Sequence, residues 1–230
     1  MSRVSNDPVW TIVARALIIA LVPLMLFLSS LRLLLTDAFI HVEYRLPAFP
    51  EDSYGFTLQD RLRWAPLALD YLLNDEGIDF LGDLEFDEGG DVYNQRELRH
   101  MVDVKQLTQL ALGVWAGGLA CVIVLGTLLY LNGYREMLWK SLRTGARILF
   151  WFMVVLAATL IISFSFVFIG FHRIFFEGDT WLFLYSDTLI RLFPTRFWRD
   201  VFIFLIGLTL SMTGLTHFIS SRQLRRLETT

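Results

Sequence analysis

The sequence predicts an all-α membrane protein: a four-transmembrane-helix bundle with an extracytoplasmic loop subdomain. Three observations predict it. Four stretches, residues 16–31, 106–134, 148–172 and 201–221, contain no Asp, Glu, Lys or Arg. Each is apolar and long enough, alone or with snorkelling flanks, to cross the ~30 Å hydrocarbon core as a helix. The composition agrees: 55% hydrophobic, 15% aromatic, mean hydropathy +0.52. Finally, basic and acidic segments alternate between the stretches. Residues 37–105 hold 16 acids against 6 bases and residues 173–200 hold four of each, whereas residues 1–15, 135–147 and 222–230 are net basic. The positive-inside rule reads this as both termini cytoplasmic.

The elements follow in order. Residues 1–35 are the cytoplasmic N-terminus and first span, with Arg32 snorkelling at its outer end. The run is too long for a signal peptide, contains Pro23 and lacks a cleavage site, so it reads as a signal anchor. Residues 36–94 form an acidic extracytoplasmic loop. Within it, Thr57 and Asp60 mark a helix start, and Leu62, Ala65, Leu69 and Leu72 recur at helical spacing, giving an amphipathic helix over Leu58–Leu73. The Gly-rich acidic stretch that follows holds a short strand or hairpin near Asp83–Tyr93.

Asn94 and Glu97 form a second capping box, and nothing stops that helix before Asn132-Gly133. Residues 95–131 are therefore one long helix of ~55 Å that includes the second span and projects beyond it. Residues 132–147 are a basic cytoplasmic loop, and 148–171 the third span. Residues 172–200 are an interfacial aromatic segment, with Asp179 as the N-cap of a short helix ended by Pro194. Residues 201–230 are the fourth span and a basic tail. The pairs Gly113/Gly117 and Gly207/Ser211 read as close helix packing. Cys121 is the only cysteine, which rules out an internal disulfide, a cysteine metal site and a lipobox cysteine.

The charge-poor spans leave few chemical groups to choose from. On the projecting helix, Arg96, His100 and Asp103 share a face by i,i+4 and i,i+3 spacing. A carboxylate beside an imidazole fixes its tautomer and makes it a better base. The same residues also read as a solvated helical face, a common arrangement. His172 closes the third charge-free stretch, where beside Arg173 it also reads as a helix C-terminal cap. Together the two histidines lie on one side of the membrane, and interfacial ionisable groups point to function. His41 and His217 are weaker candidates, and His217 lies toward the inner end of its span. No metal-ligand spacing, nucleophile elbow or phosphate loop is present. The acidic loop and the pI near 5.8 argue against nucleic acid as a partner.

Several motifs then carry a resemblance. These are Tyr54-Gly-Phe, Asp60-Arg-Leu, Arg96-Glu-Leu-Arg-His-Met-x-Asp-Val-Lys105, Phe171-His-x-x-Phe-Phe and Asp179-Thr-Trp, followed by Asp187-x-Leu-Ile-x-Leu-Phe-Pro194 and Phe197-Trp. With them the chain resembles, over nearly its whole length, a family of bacterial membrane proteins whose members include the lipoprotein intramolecular transacylases. The resemblance implies a cofactor-free acyltransferase of the bacterial cytoplasmic membrane, with its active site extracytoplasmic. Its substrate would be a diacylated lipoprotein in the outer leaflet, among membrane lipid. The sn-2 acyl chain would move to the amine of the N-terminal cysteine, giving a lyso-form lipoprotein. His100 and His172 would be catalytic, with His100 as the base. Asp103, Arg96 and Arg173 would support them, and Tyr93 and Trp181 would contact the acyl chain. The rival expectations are a non-enzymatic assembly or sensor protein, and an outer-leaflet acyl hydrolase.

Overall fold

Residues 7–229 are described in the computed structural model, so Arg3 of the basic N-terminal segment and the terminal Thr230 lie outside them. The described residues form α1 (Val9–Leu34), α2 (Asp37–Glu43), α3 (Leu58–Leu73), α4 (Asp79–Gly82), α5 (Gln95–Leu131), α6 (Arg135–Ile162), α7 (Phe164–Phe175), α8 (Thr188–Leu192) and α9 (Thr195–Glu228). No strand occurs among them. The acidic loop holds a single antiparallel bridge, Glu85 to Asp91, closed over Gly89 and Gly90, whose φ values of +90° and +95° only glycine adopts freely. Helices α1, α5, α6 and α9 are long and apolar enough to cross a membrane. This is an all-helical membrane protein.

The chain divides into two compact units, each built from several segments. Of the described residues, the first comprises 7–31, 113–158 and 205–229, drawn mainly from the four long helices. Ala14, Ile18 and Val22 of α1 pack with Leu129 of α5 and Leu138 of α6. Among the contacts between segments of this unit, the Trp115 indole N–H donates to Ser29 Oγ at 3.0 Å, and Trp10 meets Tyr134 edge-on. Helices approach closely at Gly145, where an added Cβ would lie 2.9 Å from Val22 Cβ, and at Gly118, where it would lie 2.6 Å from the Met25 side chain. The expected packing glycines are elsewhere: a Cβ at Gly113, Gly117 or Gly207 would meet nothing within 4 Å.

The second unit comprises residues 32–112 and 159–204. Its core gathers Ile40 of α2 and Tyr44 just after it, Trp64, Ala68 and Tyr71 from α3, Leu98 and Met101 from α5, and Leu189 and Leu192 from α8. Helix α3 has the expected bounds because its capping box closes in both directions, with Thr57 accepting from the Asp60 N–H and Asp60 from the Thr57 N–H. The α5 box closes likewise: Asn94 Oδ1 accepts from the Glu97 N–H, and Glu97 Oε2 from the Asn94 N–H.

Three boundaries differ from expectation. The basic segment 132–147 is a loop only to residue 134, since α6 starts at Arg135. Lys, Arg and Glu are good helix formers, and Glu136 pairs with Lys140 one turn on. The third apolar helix is not continuous, because it ends at Ile162 and Ser163 caps a separate α7, its hydroxyl accepting from the Phe166 N–H at 3.2 Å. The short helix before Pro194 starts after Asp187, not Asp179. Asp187 folds the preceding turn by accepting from the Leu184 N–H and is bonded by the Asn94 side-chain amide.

A buried acid pair ties α2 to α9. Glu43 is fully buried and neither of its oxygens meets a donor. Its neighbour is Asp200, which is ion-paired with Arg196. Burial first, then Asp200, pushes the Glu43 carboxyl up from 4.5 to about 8, with Arg196 opposing. The folded value is raised, so the stability linked to the neutral acid is full below pH 4.5 and is lost as pH rises through about 8. Glu43→Gln, permanently neutral and able to donate to Asp200, should raise the thermal midpoint at pH 8 by several degrees (roughly 2–4 °C per kcal/mol). It should also flatten the decline between pH 5 and 8. A variant that melts lower than wild type at pH 8, or keeps the same decline, contradicts the account of Glu43 as a neutral buried acid.

Candidate active site

His100 lies one turn beyond Glu97 on α5, before the charge-free part of that helix begins. His172 lies in the last turn of α7. Folding of the second unit brings these residues, 72 positions apart, to a ring-centroid distance of 6.2 Å with planes only 20° from parallel. The shell around them is aromatic. Phe176 and Phe183 lie 4.8 and 5.3 Å from His100, and Phe168 and Trp181 lie 4.2 and 4.9 Å from His172.

A segment of turns supplies two of these walls. Between α7 and α8 the Leu182 N–H bonds to the Asp179 carbonyl, while the Leu182 carbonyl accepts from Arg96 Nη1 at 3.3 Å. Leu182 thus anchors the segment to α5, and the residues either side of it each cover one histidine: Trp181 the ring of His172, Phe183 that of His100. Glu97 fastens the far end, where its Oε1 accepts from the buried Leu189 N–H at 2.7 Å.

The two imidazoles are chemically distinct. Nδ1 of His172 lies 2.8 Å from the Phe168 carbonyl, which only accepts, so that nitrogen carries the proton and Nε2 presents its lone pair. His100 is 9% exposed and its Nδ1 is buried without a partner. Burial holds both rings below the usual histidine range. His100 is pushed down to about 4, with His172 a smaller contribution, and the carbonyl bond partly offsets the lowering at His172. Both are therefore neutral at neutral pH.

The other expected site residues are placed variously. Asp103 is half-buried and does not reach His100 Nδ1, so it does not set that ring's tautomer. Arg96 acts through the Leu182 carbonyl, and Arg173 is exposed. Tyr93 is buried in the core of the second unit with its hydroxyl unpartnered. His41 is exposed beside Arg45, and His217 belongs to the first unit. Sequence reasoning missed Glu97 as a tertiary anchor, although a capping glutamate flanked by buried apolar positions was its available signal. It also missed Phe168 and Phe183 as walls, for which spacing gives no signal.

Fold and site together define a membrane-integral helical protein with a paired, uncharged histidine centre walled by aromatic rings. A sequence model of the family described as lipoprotein intramolecular transacylase Lit matches residues 16–198. A protein of Aquifex aeolicus (strain VF5), described as uncharacterized, is 30% identical over 193 residues, covering 81% of this chain and 86% of that one. The solved structure of the membrane integral lipoprotein intramolecular transacylase Lit from Bacillus cereus aligns with a TM-score of 0.82 at 18% identity, covering 96% of this chain and 99% of that one. A variant of that protein with one histidine replaced by alanine aligns at 0.75 and 17% identity, covering 96% of each chain. The chain belongs to the lipoprotein intramolecular transacylase family, and it is a membrane acyltransferase.

Proposed function

We propose that this protein moves the sn-2 acyl chain of a diacylglyceryl lipoprotein to the α-amine of the same molecule's N-terminal cysteine. The product is a lyso-form lipoprotein. The observation that carries this reading is the pair of imidazoles, 6.2 Å apart inside one aromatic shell, in a chain of this family. Amine and ester belong to one substrate, so holding them together supplies much of the acceleration. The remaining work is proton transfer. The amine nitrogen attacks the ester carbonyl and loses its proton to His172 Nε2. The tetrahedral intermediate collapses, the carbonyl–glyceryl oxygen bond breaks, and the departing oxygen takes up the proton that His172 gained, passed on through His100, so that both rings return to the neutral form and neither becomes an imidazolate. The tautomer of His172, fixed by Phe168, favours it as the base over His100.

The active site opens to the outer leaflet of the bacterial cytoplasmic membrane, and both termini are cytoplasmic. The support is the alternation of loop charge. With Cys121 replaced, an impermeant thiol reagent on whole cells should label a cysteine at Ser53 and not one at Thr144. The reverse pattern would move the site to the other face and end the outer-leaflet proposal.

The reaction itself is tested by tandem mass spectrometry of the N-terminal lipopeptide of a diacylated reporter lipoprotein incubated with the purified protein, which locates each acyl chain. The expected product has unchanged total mass, with one acyl chain now on the cysteine nitrogen. Loss of one acyl chain to water would make the protein a hydrolase, and no change would support the non-enzymatic alternative.

A further inference from the structure

We infer that the indole N–H of Trp181 donates a hydrogen bond to the carbonyl oxygen of the reacting ester, which makes Trp181 a catalytic residue and not only a wall for the acyl chain. The inference rests on the two-histidine reading of the site. Its starting point is an unpartnered donor: Trp181 Nε1 is buried, and no acceptor lies within hydrogen-bond reach. Tryptophan Nε1 only donates, and a buried indole normally finds an acceptor. Trp115 does so on Ser29. An orphaned buried N–H is costly, yet this one is carried by a ring packed 4.9 Å from the ring of His172.

The backbone holds it there. Gly178, at φ +60°, turns the chain after α7; the Leu182 N–H closes a turn on the Asp179 carbonyl; and Arg96 grips the Leu182 carbonyl. These contacts fix the residue next to Leu182 without satisfying its side chain. The second orphan in the same shell is His100 Nδ1, so the indole N–H is not the only buried group there without a partner.

The chemistry asks for such a donor. When the amine adds, the carbonyl π pair moves onto oxygen, and negative charge develops in a shell with few other dipoles. A fixed neutral N–H aimed there lowers the barrier without itself exchanging a proton. It returns no atom to the product, so the balance of the transfer is unchanged. Arg173, the cation nearest in sequence, is exposed and belongs to no part of the shell.

Two variants separate donor from wall. Trp181→Phe keeps an aromatic face and loses the N–H. Replacing Trp181 with β-(3-benzothienyl)alanine keeps the bicyclic shape and exchanges N–H for sulfur. The full-length protein in phospholipid vesicles is assayed with a diacylated lipopeptide, reading the N-acylated isomer by its fragment ions in tandem mass spectrometry. Both variants should lose about 10²-fold in kcat, with KM within about threefold of wild type. Wild-type kcat in the benzothienyl variant, or a raised KM at unchanged kcat, would return Trp181 to the role of wall and overturn the inference. His172→Ala in the same assay distinguishes the two levels. If it remains fully active, the two-histidine reading fails; if it is inactive while the benzothienyl variant is normal, only the donor role fails.

Discussion

Replacement of His100 or His172 by alanine is expected to lower transacylation about 10²–10⁴-fold, the loss typical of a positioned acid–base group. Each variant should stay folded in the membrane, because neither ring makes a hydrogen bond that ties two helices together. The bond of His172 is to Phe168 of its own helix. His41→Ala and His217→Ala should retain near-normal activity, the first being exposed on α2 and the second lying in the other unit. The measurement is N-acylated product per unit time, with thermal midpoints in detergent alongside. Full activity in His100→Ala would remove the paired-imidazole mechanism.

Glu97→Ala should do the opposite, damaging the fold first. Its carboxylate is 1% exposed and joins the start of α5 to the start of α8 through the Asn94 and Leu189 N–H groups. Truncation strands a buried donor at Leu189 and removes the reciprocal half of the cap. The expected cost is about 2–4 kcal/mol, a fall of roughly 5–15 °C in thermal midpoint for a chain of this size. Glu97→Gln, which keeps one acceptor oxygen but turns a donor toward Asn94, should fall between. A midpoint for Glu97→Ala within a degree or two of wild type would mean that α8 is held by its apolar contacts alone.

What was legible in the chain was legible because it is local. The span lengths follow from the gaps between charges. The bounds of α3 and the start of α5 follow from side chains that bond backbone groups three residues away. Local signals also mislead. Ser163 stands in an apolar run, yet its hydroxyl caps a new helix. Asp179 has the residue type of an N-cap, yet the short helix starts after Asp187. Helical spacing puts Asp103 on the face of His100, but spacing along a face does not turn a side chain toward its neighbour.

The sequence by itself determined that this is a four-span helical membrane protein, that its histidines are few, and which family its motifs resemble. Apolar length, charge gaps and capping pairs are properties of short windows, and the bilayer reads them window by window. Tertiary structure decided what those histidines meet. The tautomer of His172, the loss of Asp103 as its partner's orienter, and the placing of Trp181 and Phe183 over one ring each depend on how α5, α7 and the turns before α8 pack together. Such contacts join residues many turns apart. They are selected by the summed burial and hydrogen bonding of the whole second unit, a sum that no short window of sequence contains.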